Sequence, residues 1–205
     1  MQAAQTRHDI LVAARRLFAE HGYASTSMNQ IAEEAGVALQ TVYSSVGPKA
    51  SIVMALDDII DEEAGLHEVL PIAVAETDPR LMIAWAVRIP YRFVQRSGDY
   101  LSALISAAAV EKEAADALRG GWNRHNAGHL ELARKLMATG AVRQGLTLED
   151  VHATLSLPTW AVPHLQAREA FGWDGPTWEH WCVTLLTNAL LVDAEPAFLP
   201  ADLGS

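Results

Sequence analysis

The sequence predicts an all-α fold of about nine helices. Two observations carry that reading. Apolar residues recur at three- and four-residue intervals along most of the chain, and hardly any bounded stretch alternates with period two. The periodic segments are punctuated by glycine and proline, as helices in a bundle are. A chain of 205 residues that is 50% hydrophobic can bury one well-packed core, or a small domain joined to a larger one.

Each element has its own signals. Over residues 6–20, Ile10, Leu11, Ala14, Leu17 and Phe18 form an apolar face, with Arg7, Arg15, Arg16 and Glu20 opposite, and Gly22 ends the helix. Ser27-Met28-Asn29-Gln30 has the form of a capping box opening a short helix whose apolar face is Ile31, Ala32 and Ala35. After Gly36, residues 38–45 make a second short helix, with Val42 and partly Tyr43 turned inward. Gly47-Pro48 breaks it, and Pro48 suits the first turn of the next helix. That helix carries Ile52, Val53, Leu56, Ile59 and Ile60 on one face, and Asp57, Asp58, Asp61, Glu62 and Glu63 on the other. It joins a first domain, 4–64, to a second, 65–205. Further helices are expected at 79–96, 99–108, 111–138, 148–170 and 175–193, with Pro158 and Pro163 kinking or breaking the fourth of these.

Charge is unevenly shared. Residues 1–50 hold four basic and four acidic side chains, so the whole formal charge of −10 falls on the remainder. An acidic body repels phosphate, so contact with nucleic acid is expected only from the neutral first quarter. The single cysteine, Cys182, excludes an internal disulfide and suits a reducing compartment. No apolar leader is apparent, and the longest stretch without Lys, Arg, Asp or Glu, 151–167, is interrupted by two prolines and two histidines. A cytoplasmic protein without a membrane span is expected.

Two short helices joined by a glycine-containing turn, with a third packed in front, describe a helix-turn-helix over about 27–46. Gly36 permits the turn, Ala32 permits close approach, and Ile31, Val37 and Val42 fix the angle. Leu39, Gln40, Thr41, Ser44 and Ser45 then project outward, small or polar side chains able to enter a major groove about 12 Å wide.

The run RHDILVAARRLFAEHGYASTSMNQIAEEAGVALQTVYSSVGPKASIV resembles the DNA-binding domain of the TetR family of transcriptional repressors, without gaps, through Ile10, Ala13, Ala14, Leu17, Phe18, Gly22, Ser27, Ile31, Ala32, Ala35, Gly36, Val37, Thr41, Val42, Tyr43 and Lys49. The rest of the chain matches only the family's general plan, a divergent helical domain for ligand binding and dimerisation. The resemblance implies that Ser27, Tyr43 and Lys49 hold phosphates, and that Asn29, Leu39, Gln40, Thr41 and Ser44 reach base edges. Helix-end amides aimed at phosphate compensate in part for the scarcity of basic side chains. Gln40 is suited to adenine and Leu39 to a thymine methyl. Two positions depart from the family: Ala38 stands where serine is frequent, so the recognition helix loses its side-chain cap, and Val46 stands where an aromatic residue is frequent.

The same resemblance implies a homodimer on a palindromic double-stranded operator, released by a small-molecule effector. The expected pocket residues are Trp85, Tyr91, Phe93, Trp122, His125, His129 and Trp160, aromatic groups with a few polar ones. The apolar faces of the last two helices exceed what a lone hairpin can bury, which marks Leu155, Trp178, Cys182, Leu185, Leu186 and Ala189 as dimer contacts. His125 and His129 share a helix face, but no third metal ligand is indicated. Glu149-x-x-His152 is half of a di-iron motif with no second half. The alternative, an all-helical enzyme using His125/His129 or Glu149, finds no phosphate loop, nucleophile elbow or HExxH to support it. No metal or cofactor is expected.

Overall fold

The computed structural model describes residues 2–63, 65–192 and 194–201, together with the backbone alone of residues 2, 57–63 and 99. Its helices are α1 (Gln2–His21), α2 (Met28–Glu34), α3 (Leu39–Val46), α4 (Lys49–Glu63), α5 (Leu66–Ala75), α6 (Pro79–Ala108), α7 (Lys112–Ala138), α8 (Leu148–Thr159), α9 (Ala161–Phe171) and α10 (Gly175–Leu190). Among the described residues the only extended pairing is one antiparallel bridge between Val142 and Leu191. The fold is all-α, as the apolar periodicity predicts. The expected faces of α4 formed by residues 57–63 lie outside the described side chains.

By its contacts the chain forms two compact units, Met1–Asp61 with Ser97–Gly121, and Glu62–Arg96 with Trp122–Ser205. Both α6 and α7 run through the two units, so the division is not the single cut near residue 64 that the sequence suggests.

In the first unit α1, α2 and α3 pack on one another. Ile10, Phe18, Ile31, Val42 and Ile52 are completely or almost completely excluded from solvent. Phe18 and Tyr23 rings lie 5.1 Å apart. Thr26, buried in the loop before α2, donates its hydroxyl to the carbonyls of Leu17 and Gly22, at 3.1 and 2.9 Å, which anchors the start of the helix-turn-helix to the end of α1. The Tyr100 hydroxyl of α6 donates to the Val53 carbonyl of α4.

In the second unit one apolar core draws on α5 to α10, among them Trp85, Leu136, Val151, Leu155, Trp178, Cys182 and Leu186. Arg88 is buried at its edge. It donates from Nε to Glu179 at 2.5 Å and from Nη1 to the Pro200 carbonyl at 3.1 Å, tying the segment after α10 to α6. At the start of α10, Gly175 lies so close to Tyr91 that a Cβ there would overlap the tyrosine ring.

One expected break is absent, another is present, and one helix is unforeseen. The break at Ser97-Gly98 does not occur, because both residues are buried within a continuous α6. Burial of Val94, Tyr100 and Leu101 on either side outweighs the roughly 1 kcal/mol helix penalty of one glycine. The expected helix 148–170 is broken, as its prolines predict, into two helices separated at Trp160, whose ψ of 157° is extended, while Pro158 stays within the first of them. Pro163 lacks the N–H that would reach the Thr159 carbonyl, so the chain restarts there. Finally, α5 was not foreseen, since Pro71 within it reads as a breaker and its buried face is only Val69 and Ala73.

Candidate nucleic-acid interface

The helix-turn-helix is set by its caps. Ser27 accepts from the Gln30 amide, and the Gln30 side chain accepts from the Ser27 amide at 2.7 Å, a complete capping box. Gly36 takes a φ of +66°, the left-handed conformation that a side chain resists, and turns the chain into α3. Ala38 caps α3 with no side-chain hydrogen bond, as its departure from serine predicts. Ser27→Ala should therefore cost about 1 kcal/mol of stability, and Ala38→Ser should add a similar amount. Denaturant unfolding of both variants checks this; equal stability in the two would contradict it.

On α3, Val42 and Val46 point into the core while Leu39, Gln40, Tyr43 and Ser44 face solvent. Tyr43 is 45% exposed and Leu39 37%, so the inward turn of Tyr43 expected from periodicity is corrected: Val42 alone fills that side. Thr41 is half-buried at the edge of the exposed face, and the Ser44 hydroxyl donates to its carbonyl at 3.1 Å. Ser27 and Asn29 are exposed at the start of α2. Lys49, at the start of α4, is half-buried. Its Nζ lies 4.1 Å from the centre of the Tyr23 ring and donates to the Ala24 carbonyl at 3.5 Å. Burial lowers its pKa, against the pull of Glu111 and Glu113.

One contributor was missed in the sequence. Arg7 of α1 donates from Nη1 to the Ser45 carbonyl at 3.1 Å, placing a cation at the C-terminal end of α3. Its position on the polar side of α1 was visible, but its reach across 38 residues was not. Arg16 instead spends its charge on Glu34 at 2.6 Å, clasping α1 to α2.

The expected pocket residues separate into groups within the second unit. Trp122, His125, His129 and Trp160 form one aromatic cluster, with ring centres 4.2 to 5.6 Å apart. Its imidazoles are engaged by the backbone: His125 Nε2 by the Ser156 carbonyl at 2.9 Å, and His129 Nδ1 by the His125 carbonyl at 2.9 Å. His129 Nε2 lies 3.1 Å from the Thr159 hydroxyl. Tyr91 belongs to a second cluster, with His164 and Trp178, and Trp85 is buried in the core. Phe93 is half-buried.

Burial, then repulsion from His129, pushes the His125 pKa down from 6.5 to about 4, and burial lowers those of His129 and His164. The unfolded chain takes up protons below pH 6.5 that the folded chain refuses, so stability is complete above that pH and falls between 6.5 and 4. Urea midpoints across this range check the sign; a midpoint rising as pH falls would contradict it.

The dimer expectation is also corrected in part. Leu155, Trp178, Cys182 and Leu186 are at most 1% exposed within a single chain and belong to its own core, whereas Leu185 and Ala189 face outward beside Trp181. An amphipathic helix shows one stripe inward and another outward, and sequence periodicity does not say which is which. Burial raises the Cys182 thiol to about 12, which leaves it a packing residue with negligible thiolate.

A capped two-helix motif with one buried face and one polar, exposed face defines a helix-turn-helix DNA-binding protein. Residues 10–56 match the N-terminal domain of the bacterial regulatory proteins of the tetR family. The HTH-type transcriptional regulator HbdR of Aromatoleum sp. (strain CIB) is 40% identical over 58 residues, 28% of this chain and 25% of that one, so the match spans a quarter of that relative's length. Solved structures are similar over nearly the whole chain. NalD, the secondary repressor of the MexAB-OprM multidrug efflux pump in Pseudomonas aeruginosa, superposes with a TM-score of 0.66 at 21% identity, covering 94% of this chain and 100% of that one. A TetR-family regulator from Syntrophomonas wolfei gives 0.74 at 15%, covering 91% and 95%. A regulator from Saccharomonospora viridis in complex with choline gives 0.71 at 16%, covering 92% and 99%. Over residues 10–56 the chain thus carries a DNA-binding domain similar to that of the tetR family, and the remainder shares the fold of these regulators.

Proposed function

We propose that the protein is a homodimeric transcriptional repressor that leaves its operator when a small molecule binds the second unit. The observation that carries the reading is the face of α3: Leu39, Gln40, Tyr43 and Ser44 stand exposed on a helix whose other side is locked in the core. Gln40, Thr41 and Ser44, with Leu39 and Asn29, read base edges; Ser27, Tyr43 and Lys49 hold phosphate and fix the register. Arg7 serves by holding the end of α3. The outward stripe of α10, Trp181, Leu185 and Ala189, meets its copy across a two-fold axis, so that two recognition helices address a palindromic site. Such a regulator works in the cytoplasm and performs no catalysis. The imidazoles that an enzyme would need are bonded to backbone carbonyls.

The test is fluorescence anisotropy of the full-length protein on DNA from upstream of its own gene and of the adjoining genes, with and without candidate effectors. Sequence-specific binding that a small molecule reverses supports the reading. Turnover of a small molecule without DNA binding would favour the enzyme instead.

A further inference from the structure

Besides the Phe171–Trp173–Trp181 rings and the His180–Phe198 pair, two aromatic clusters occupy the second unit, and they differ in one respect. In the Trp122–His125–His129–Trp160 cluster His125 Nε2 and both ring nitrogens of His129 meet carbonyl or hydroxyl oxygens. In the other, Tyr91 of α6, His164 of α9 and Trp178 of α10 bring their ring centres 4.6 to 6.1 Å apart, yet His164 Nδ1 and Trp178 Nε1 have no hydrogen-bond partner among the described residues. Trp178 is 1% exposed and His164 7%. A buried polar atom left unbonded is destabilising, and here two stand on adjoining rings.

We infer that this wedge between α6, α9 and α10 receives the polar end of the effector, an uncharged molecule with an apolar body and a carbonyl-type acceptor. The inference rests on the reading of the chain as a ligand-responsive regulator and assigns the chemistry of its ligand. An indole N–H only donates, so whatever meets Trp178 Nε1 must accept. Burial, then the nearby Arg168 cation, lowers the His164 pKa, which disfavours a positive charge on its ring. The next residue after Trp178 is Glu179, which is paired with Arg88 and so leaves no free charge there to draw an ion, and a cation offers nothing for the indole N–H. The Tyr91 ring, seated on Gly175 and receiving a hydrogen bond from Gln95 at its hydroxyl, forms a fixed wall for the apolar body.

The test is calorimetric titration of the full-length protein with acetophenone and 2-octanone as neutral carbonyl probes, and with benzoate and benzyltrimethylammonium as charged ones. Indole N–H resonances are followed in protein carrying isotope-labelled tryptophan. A neutral probe should bind saturably, shift the Trp178 indole resonance, and bind about fivefold or more weakly to Trp178→Phe, which keeps a ring and loses the donor. His164→Phe should weaken it similarly. No saturable binding of either neutral probe, tighter binding of a charged one, or an unmoved Trp178 resonance would overturn the inference, the last meaning that the orphaned groups hold water only. The spectroscopic arm uses the unaltered protein, so a variant that folds poorly does not decide the matter. DNA binding measured on the same samples separates the two levels: retained DNA binding without probe binding overturns the ligand site alone, and absent DNA binding overturns the regulator.

Discussion

Trp178→Ala should lower the free energy of unfolding by about 3 to 5 kcal/mol, the range for deleting a large aromatic group from a core. The side chain is 1% exposed and lies in the second unit among Tyr91, His164 and the aliphatic residues of α6, α8 and α10. Its neighbours cannot close the space, because Tyr91 is already held against Gly175. Trp181, one helical turn on and 42% exposed, provides the internal comparison. Truncating it should change the stability of one chain by less than about 1 kcal/mol and weaken association of two chains. Equilibrium unfolding in urea with sedimentation on the same variants checks both. A loss below about 1 kcal/mol for Trp178→Ala, or a larger loss for Trp181→Ala at constant oligomeric state, would contradict the assignment of inner and outer faces on α10.

Tyr43→Ala should weaken operator binding about tenfold or more while leaving stability within about 0.5 kcal/mol, because the ring is exposed and outside the core of the first unit. Tyr43→Phe separates the hydroxyl from the ring: if the hydroxyl holds a phosphate, Phe behaves like Ala on DNA. Lys49→Ala should also weaken binding, but with a stability cost, since its ammonium lies over Tyr23 and bonds the Ala24 carbonyl. Lys49 is thus placed to position the loop before α2 as well as to meet phosphate. Anisotropy titrations beside thermal melts of each variant distinguish these outcomes. Unchanged affinity for both alanine variants would remove the phosphate contacts from the account.

How much was legible follows from the range of the interactions involved. The capping box at Ser27, the turn at Gly36, the missing cap at Ala38 and the break at Gly47 are settled within four residues of sequence, and each is seen where expected. The core of the first unit follows from one strong periodicity in α1. Elsewhere the deciding forces are long-range. Burial carries α6 through Ser97 and Gly98. The exposed stripe of α10 could be told from its core stripe only once α8 was packed against it. His164 gave no sign in the sequence, because its significance is an unbonded nitrogen beside Trp178, which depends on the meeting of α9 and α10. The tie from Arg7 to Ser45 is of the same kind.

Whether α3 reads DNA from a two-fold assembly is decided by footprinting of the full-length protein on the DNA upstream of its gene, repeated over a series of salt concentrations. Two symmetry-related half-sites should be protected, with protection lost in Tyr43→Ala and a shallow log–log salt slope of about −2 to −4, set by one or two cations per subunit. Equal affinity for unrelated DNA, or protection that survives the removal of Tyr43 and Lys49 together, would contradict it.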